Sequence, residues 1–144
     1  MKVLIDTCVW SLALRRAPED LTKDQALAVA ELRELIGEGR AALIGPIRQE
    51  LLSGIRRTED FERLRGSLGA FEDTPITRDE YEQAARFFNL CRSRGITGTP
   101  GDLLICAAAV RHKQSVFTTD RDFDLYSQHL PVDLYRPRNR KSEG

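Results

Sequence analysis

Four acidic side chains occupy positions from which they could bind one divalent cation together. Asp6 directly follows the apolar run VLI, and Asp120 directly follows the β-branched and aromatic run SVFTT. Asp102 opens the apolar segment DLLICAAAV, and Glu50 lies in the segment after the apolar run RAALIG. Converging carboxylates repel one another unless a cation neutralises them, and such hard oxygen ligands suit Mg²⁺ or Mn²⁺. The pattern therefore favours a divalent-metal site.

Short apolar strands that alternate with helices would position these acids. Strands are predicted at residues 3–5, 40–45, 74–77, 116–118 and 132–135. Capping boxes, Thr22 with Gln25 and Thr77 with Glu80, predict two of the helix starts. Further helices are predicted over residues 46–55, 60–71 and 102–112. This alternation favours a parallel α/β sheet covered by helices on both faces. Ligands of such sheets bind at the carboxyl ends of the strands, where the first and last of the four acids are expected.

Each acid also has a purely structural interpretation. The sequence TPGD makes a good helix start, with a cap, a proline and an acid in the first turn, which explains Asp102. Glu50 is an ordinary helix former, and Asp122 could be a first-turn acid of a later helix. Asp6 is hardest to explain this way, because the end of a buried parallel strand is a common catalytic position. The functional prediction therefore depends on the combination.

The composition fits one intracellular domain. The chain has 144 residues, 41% of them apolar, with no run long enough to span a membrane and no signal-peptide pattern. Its three cysteines lack CxxC spacing and predict free thiols in a reducing compartment, so a cytoplasmic location is expected.

The charges balance at 22 basic and 22 acidic residues, so net charge does not indicate a nucleic-acid partner. Arginine predominates among the basic residues, which suits phosphate binding. The basic residues cluster at Arg15–Arg16, Arg56–Arg57, Arg92–Arg94, Arg111–Lys113 and Arg136–Lys141.

Four motifs in register resemble the PIN domain, and within that family the VapC-type toxins. They are IDT at 5–7, RQELL at 48–52, DLLICAAAV at 102–110 and FTTDRDF at 117–123. The resemblance implies a Rossmann-like three-layer sandwich, with a parallel sheet of four to five strands in the order 3-2-1-4-5. It assigns residues 1–136 to the domain and leaves residues 137–144 as a basic tail that we expect to be disordered.

The resemblance also implies a Mg²⁺- or Mn²⁺-dependent endoribonuclease, in which metal-activated water cleaves RNA. The family's catalytic acids match Asp6, Glu50, Asp102 and Asp120, and the expected metal ligands are Asp6, Asp102, Asp120 and Asp122. Thr7 and Thr118 match supporting hydroxyl positions. The implied partners are an RNA substrate, a VapB-type antitoxin and a second copy of the chain, assembled as a homodimer and as a heterotetramer or larger with antitoxin. No membrane partner is expected.

Two alternatives remain open at this point. Haloacid-dehalogenase-like phosphatases and response-regulator receivers also place an aspartate after the first strand. The former needs a second acid where Cys8 stands, and the latter needs a late lysine at a strand end, whereas Lys113 precedes a strand. The other alternative is a catalytically inactive PIN-like module that binds RNA or a protein. Acids at all four family positions favour the nuclease, and a lack of metal binding would favour the module.

Overall fold

The computed structural model describes residues 1–138, which form three strands, seven α-helices and one 3₁₀ helix, Pro18–Asp20. The strands are β1 Val3–Ile5, β2 Ala41–Ala42 and β3 Ser115–Phe117. The helices are α1 Thr7–Arg15, α2 Lys23–Gly37, α3 Gly45–Leu52, α4 Thr58–Leu68, α5 Arg78–Ser93, α6 Pro100–Arg111 and α7 Asp122–His129. Both predicted capping boxes are present, at the starts of α2 and α5.

The strands form a parallel sheet in the order β2-β1-β3, with Val3 opposite both Ala41 and Ser115. Single parallel bridges extend it on both sides, Leu43 with Asp73 and Val116 with Leu134. With these bridges the spatial order agrees with the predicted 3-2-1-4-5. The predicted α/β class, with a parallel sheet flanked by helices, is confirmed.

The two outermost predicted strands are reduced to these bridges, so the sheet has three strands rather than four or five. In the 74–77 segment, Thr74 donates its N–H to Leu43, but the next residue, Pro75, has no N–H to continue the ladder. Thr77 is then used as the N-cap of α5. In the 132–135 segment, Tyr135 N–H donates to Val116, after which the chain crosses to α2.

The core lies where α6 packs against the sheet and α5. All three β1 residues are fully buried. Five consecutive residues at the centre of α6, from Ile105 to Ala109, are each at most 7% exposed. The small side chains of this helix let its backbone approach the sheet closely. Cys91 and Cys106 are buried here as free cysteines. The rigid centre therefore holds β1, β3 and α6, the elements that carry Asp6, Asp120 and Asp102.

Part of the predicted tail is held in place. Arg138 forms ion pairs with Glu31 at 2.7 Å and with Glu38 at 2.9 Å, both in or next to α2. Arg138 thus supplies a cationic partner for the buried carboxylate of Glu31. Residues 139–144, the rest of the predicted tail, lie outside the described residues. Within residues 1–138, no helix combines the length and apolar character that crossing a membrane would require.

Candidate functional site

Asp6 ends the central strand and begins the first helix. Its Oδ1 atom accepts the Thr7 N–H at 2.7 Å as the N-cap of α1, and its own N–H donates to Phe117 at the end of β3. The residue as a whole is 7% exposed. The sheet and the helix start together fix this acid at the carboxyl edge of the strands, as the sequence predicted.

Thr118 links the acids that follow the two neighbouring strands. Its hydroxyl donates to Asp6 Oδ2 at 2.8 Å and accepts the Asp120 N–H at 3.0 Å. Asp120 Oδ1 in turn accepts the Asp122 N–H at 2.9 Å, where α7 begins. The turn TTDRD at residues 118–122 therefore forms hydrogen bonds within itself and with Asp6. These bonds, made by the Thr118 hydroxyl and two backbone amides, connect Asp6, Asp120 and Asp122.

Glu50 reaches the same region from α3. Its Oε1 atom accepts the Thr7 hydroxyl at 3.0 Å. The Arg15 guanidinium donates to the carbonyls of Glu50, Leu51 and Ser53 at the end of α3. Carbonyls at a helix C-terminus lack intrahelical partners, so this contact stabilises the end of α3 against α1. Thr7 and Arg15, one at each end of α1, thus position the helix that carries Glu50.

Asp102 enters from the first turn of α6. Thr99 caps this helix by accepting the Asp102 N–H at 3.1 Å, as the TPGD pattern predicted. Asp102 Oδ2 accepts a hydrogen bond from the Tyr126 hydroxyl at 2.9 Å. The structural interpretation of this acid and the functional one are therefore compatible, because the helix start points the carboxylate into the cleft described next.

All four predicted catalytic acids line a single cleft of about 470 Å³. Its walls come from the ends of β1 and β3 and from α1, α3 and α6. It is lined by Asp6, Thr7, Cys8, Ser11, Pro46, Ile47, Glu50, Thr99, Gly101, Asp102, Ile105 and Asp120. Residues up to 114 positions apart in the chain therefore meet at one edge of the sheet, at the place expected for a ligand site.

Three of the four predicted metal ligands form a tight group. Asp102, Asp120 and Asp122 each offer a carboxylate oxygen, and these atoms lie within 4.8 Å of one another. Oxygens on opposite sides of a Mg²⁺ ion are about 4.2 Å apart, so a small side-chain rotation would bring this group onto one ion. Asp6 lies beside the group, with its oxygens accepting from Thr7 and Thr118. A set made only of carboxylate oxygens fits Mg²⁺ or Mn²⁺.

Burial raises the pKa of both Asp6 and Asp102. The charge of Asp120 raises the pKa of each of them further, and the charge of Asp6 also raises that of Asp102. Burial and the bond to Asp102 also raise the pKa of Tyr126, so its hydroxyl remains protonated and donates. Without a cation, the cleft thus opposes ionisation of its own acids, which is the electrostatic condition in which a bound cation is favourable.

Sequence reasoning missed two residues that contact the acids. Tyr126 lies four residues after Asp122, and that spacing on one helix face could have indicated it. Cys8 Sγ lies 3.5 Å from both Asp6 Oδ2 and the Thr118 hydroxyl. Burial, followed by the charge of Asp6, raises the pKa of this thiol, so it remains a neutral neighbour of Asp6.

A family model described as the PIN domain matches residues 3–128. This chain belongs to the PIN-domain family. Ribonuclease VapC11 of Mycobacterium tuberculosis and a VapC ribonuclease of Mycobacterium bovis are each 31% identical to this PIN domain over 133 residues. Each match covers 88% of the chain and 92% of the relative. The predicted resemblance to PIN domains and VapC-type proteins is therefore confirmed.

Solved structures share the fold of this PIN domain. VapBC2 from Rickettsia felis, bound to a DNA fragment from its promoter, superposes with a TM-score of 0.74 at 16% identity, covering 94% of this chain and 98% of the other. FitAcB from Neisseria gonorrhoeae superposes with a TM-score of 0.68 at 21% identity, covering 94% and 97%. At these identities the likeness shows the common fold alone.

Proposed function

We propose that this PIN domain is a VapC-type toxin, a Mg²⁺- or Mn²⁺-dependent endoribonuclease that is neutralised by a VapB-type antitoxin. The observation that carries the proposal is the convergence of Asp6, Glu50, Asp102 and Asp120 on one cleft. Support comes from the curated relatives, which are named ribonucleases and are about a third identical along nearly the whole chain.

The acids divide into two groups with different tasks. Asp102, Asp120 and Asp122 would hold the cation, and Asp6 adds negative charge next to them. When bound, Mg²⁺ or Mn²⁺ supplies a Lewis acid that activates water and stabilises charge on a phosphate undergoing substitution. Thr118 would fix the positions of Asp6 and Asp120 relative to each other through its two hydrogen bonds.

Glu50 is the acid best placed to handle a proton. It comes from α3, an element separate from those that supply the aspartates, and it is exposed. Thr7 occupies Oε1, which restrains the carboxylate and leaves Oε2 to accept a proton from the attacking water. Glu50→Gln would keep the Thr7 contact and remove this capacity.

The RNA backbone would be bound by surface arginines, and the structure reduces the set of candidates. Arg15 is used to hold the end of α3, and Arg111 pairs with Glu80 at 3.1 Å. Arg16, Arg56 and Arg92 are exposed and remain candidates for phosphate contact. An acidic cleft together with exposed arginines elsewhere on the surface is consistent with the zero net charge, and a single-stranded RNA is the substrate we expect.

Two surface grooves beside α1 support the antitoxin assignment. One of about 350 Å³ lies between α1 and α2 and includes Leu12, Val29 and Arg33. The other, of about 660 Å³, lies between α1 and α4 and includes Leu14 and Arg63. Apolar grooves that contain arginines fit an amphipathic segment with acidic residues. Co-expression with a candidate antitoxin, followed by light scattering, would test the predicted homodimer and heterotetramer.

The nuclease is tested by incubating total tRNA and rRNA with the purified protein in Mg²⁺ or Mn²⁺, with parallel reactions in EDTA. Asp120→Asn is expected to abolish cleavage, because it removes a ligand from the tight group. Asp124→Asn is the matched control, since Asp124 is a nearby aspartate on α7 that pairs with Arg136 and does not line the cleft. Cleavage that survives EDTA would contradict the proposal. Absence of both cleavage and metal binding would favour the catalytically inactive binding module.

A further inference from the structure

Tyr126 makes a contact that neither the fold nor the helix in which it lies requires. Its side chain is 1% exposed, and its hydroxyl donates to Asp102 Oδ2 at 2.9 Å. A phenylalanine would fill the same space in the core. The hydroxyl, in contrast, must find a partner once it is buried, and the partner here is an acid of the proposed metal group.

This hydrogen bond joins two parts of the chain that supply the metal group. Asp120 and Asp122 are neighbours in sequence and are held together by a local hydrogen bond of 2.9 Å. Asp102 arrives separately, from α6. Tyr126 lies one helical turn after Asp122 on α7. The Tyr126 hydroxyl therefore connects α7, the helix that begins with Asp122, directly to Asp102 by a hydrogen bond.

The phenol ring is itself held on two sides. The Phe123 ring packs edge-on against it, with centroids 5.2 Å apart. On another side, the loop before α6 approaches so closely that a β-carbon at Gly98 would lie 3.3 Å from Tyr126 Cε1. Because the ring has little freedom to move, the position of its hydroxyl is set by packing, and the hydroxyl can set the orientation of the Asp102 carboxylate.

We propose that Tyr126 is a positioning residue of the metal site, which holds Asp102 Oδ2 so that the other carboxylate oxygen faces Asp120 and Asp122. The inference rests on the proposed metal-dependent function and adds a residue to it. Groups that orient a metal ligand from behind typically change metal affinity by about 10- to 100-fold when they are removed.

The test compares Tyr126→Phe with Tyr135→Phe in the full chain. Tyr135 is a matched control, because its hydroxyl also donates to a carboxylate, that of Glu31, but away from the cleft. The dissociation constant for Mn²⁺ is measured by calorimetry on metal-free protein, and folding is checked by thermal melting. We expect Tyr126→Phe to raise the Mn²⁺ dissociation constant about tenfold or more. Tyr135→Phe should bind Mn²⁺ like the wild type.

A second readout is the metal dependence of RNA cleavage. If Tyr126 acts by orienting Asp102, excess Mn²⁺ should restore the Tyr126→Phe rate towards that of the wild type. Equal Mn²⁺ affinity in the wild type and Tyr126→Phe would overturn the inference alone and leave the nuclease proposal standing. Equal weakening by both tyrosine variants would also overturn it, because it would indicate general loosening. A wild type that binds no Mn²⁺ would overturn the proposed function itself.

Discussion

Thr118 and Asp6 are 112 positions apart in the chain, yet their side chains share a hydrogen bond of 2.8 Å. The same hydroxyl accepts the Asp120 N–H, so one threonine connects the acids at the ends of two adjacent parallel strands. The bond forms because β1 and β3 are paired in register, with Ile5 opposite Phe117. A side chain that binds no cation can therefore decide how closely the two acids approach each other.

Replacing Thr118 with valine should impair the site while leaving the fold intact. Valine keeps the shape and removes the hydroxyl, so Asp6 loses a donor and the Asp120 amide loses an acceptor. We expect cleavage to fall about 10- to 100-fold and the free energy of unfolding to fall by about 1–2 kcal/mol. Thr118→Ser should retain most of both. Thr119→Val, at the exposed neighbouring residue, is the control. Activity is measured as initial cleavage rate, and wild-type activity in Thr118→Val would contradict this role.

Asp102→Asn should stabilise the metal-free protein while removing its response to metal. Because burial raises the pKa of Asp102, the folded state binds a proton more readily than the unfolded chain does. The stability of the wild type therefore decreases as pH rises above the ordinary aspartate pKa, and the cost is complete above the folded pKa. Asparagine avoids this cost and still accepts the Tyr126 hydrogen bond.

Thermal melts in EDTA at pH 7.5 test this prediction. The expected gain in Tm is only about 2 °C, because the carboxylate is partly exposed and water screens it. The gain should shrink as the pH falls towards the ordinary aspartate pKa of 3.8, because protonation of Asp102 in the folded wild type removes the cost. Added Mn²⁺ should raise the Tm of the wild type but not of the variant. A variant that melts below the wild type in EDTA would show that Asp102 is held by favourable contacts instead.

Glu80 should make the protein sensitive to acid at a place away from the cleft. Hydrogen bonds from the Thr77 hydroxyl and backbone amide, with a smaller contribution from Arg111, lower its pKa from 4.5 to about 2. A lowered folded pKa stabilises the protein above pH 4.5, and this contribution is lost as pH falls from 4.5 towards 2. Glu80→Gln should cost about 1.5–3 kcal/mol at pH 7 and less at pH 3.

Chemical denaturation at pH 7 and at pH 3 measures this difference. Asp79→Asn is a suitable control, because Asp79 also pairs with Arg111 but is exposed on the first turn of α5. If the wild type and Glu80→Gln lost equal stability between the two pH values, the buried carboxylate would not be responsible for acid sensitivity.

Gly98→Ala should strain the loop that leads into α6. A β-carbon there would lie 2.3 Å from Leu103 Cδ2, and Leu103 is fully buried, so this side chain would have to shift within the core. We expect a loss of about 1–3 kcal/mol in unfolding free energy, together with displacement of Tyr126. Gly101→Ala is the matched control, since a β-carbon at Gly101 meets no atom within 4 Å and the position is helical. The control should be neutral or stabilising by up to about 1 kcal/mol. Equal stability of the two variants would contradict the close approach at Gly98.

Local patterns in the sequence were sufficient for much of this description. Both capping boxes and the helix start before Asp102 depend on contacts within a few residues, and the structure contains each of them. The strand before Asp6 was predicted from its apolar run, although its pairing partners lie far away in the chain. The lengths of the two outer strands were overestimated, because the sequence of a short apolar segment does not show whether its backbone amides will find hydrogen-bond partners. Pro75 limits one of them, and the other gives way to contacts with α2.

The chemistry that we propose for the site was inferred from residue types, whereas its geometry could not be. Carboxylates after predicted strands pointed to a cation, and motif order pointed to the family. Three contacts join residues that are far apart in the chain. They are the hydrogen bond from Tyr126 to Asp102, the hydrogen bond from Thr118 to Asp6, and the ion pair between Arg138 and buried Glu31. Such contacts depend on strand register and on how α6 and α7 pack, because a hydrogen bond needs its two atoms within about 3 Å. Only the folded chain brings distant side chains together at that precision.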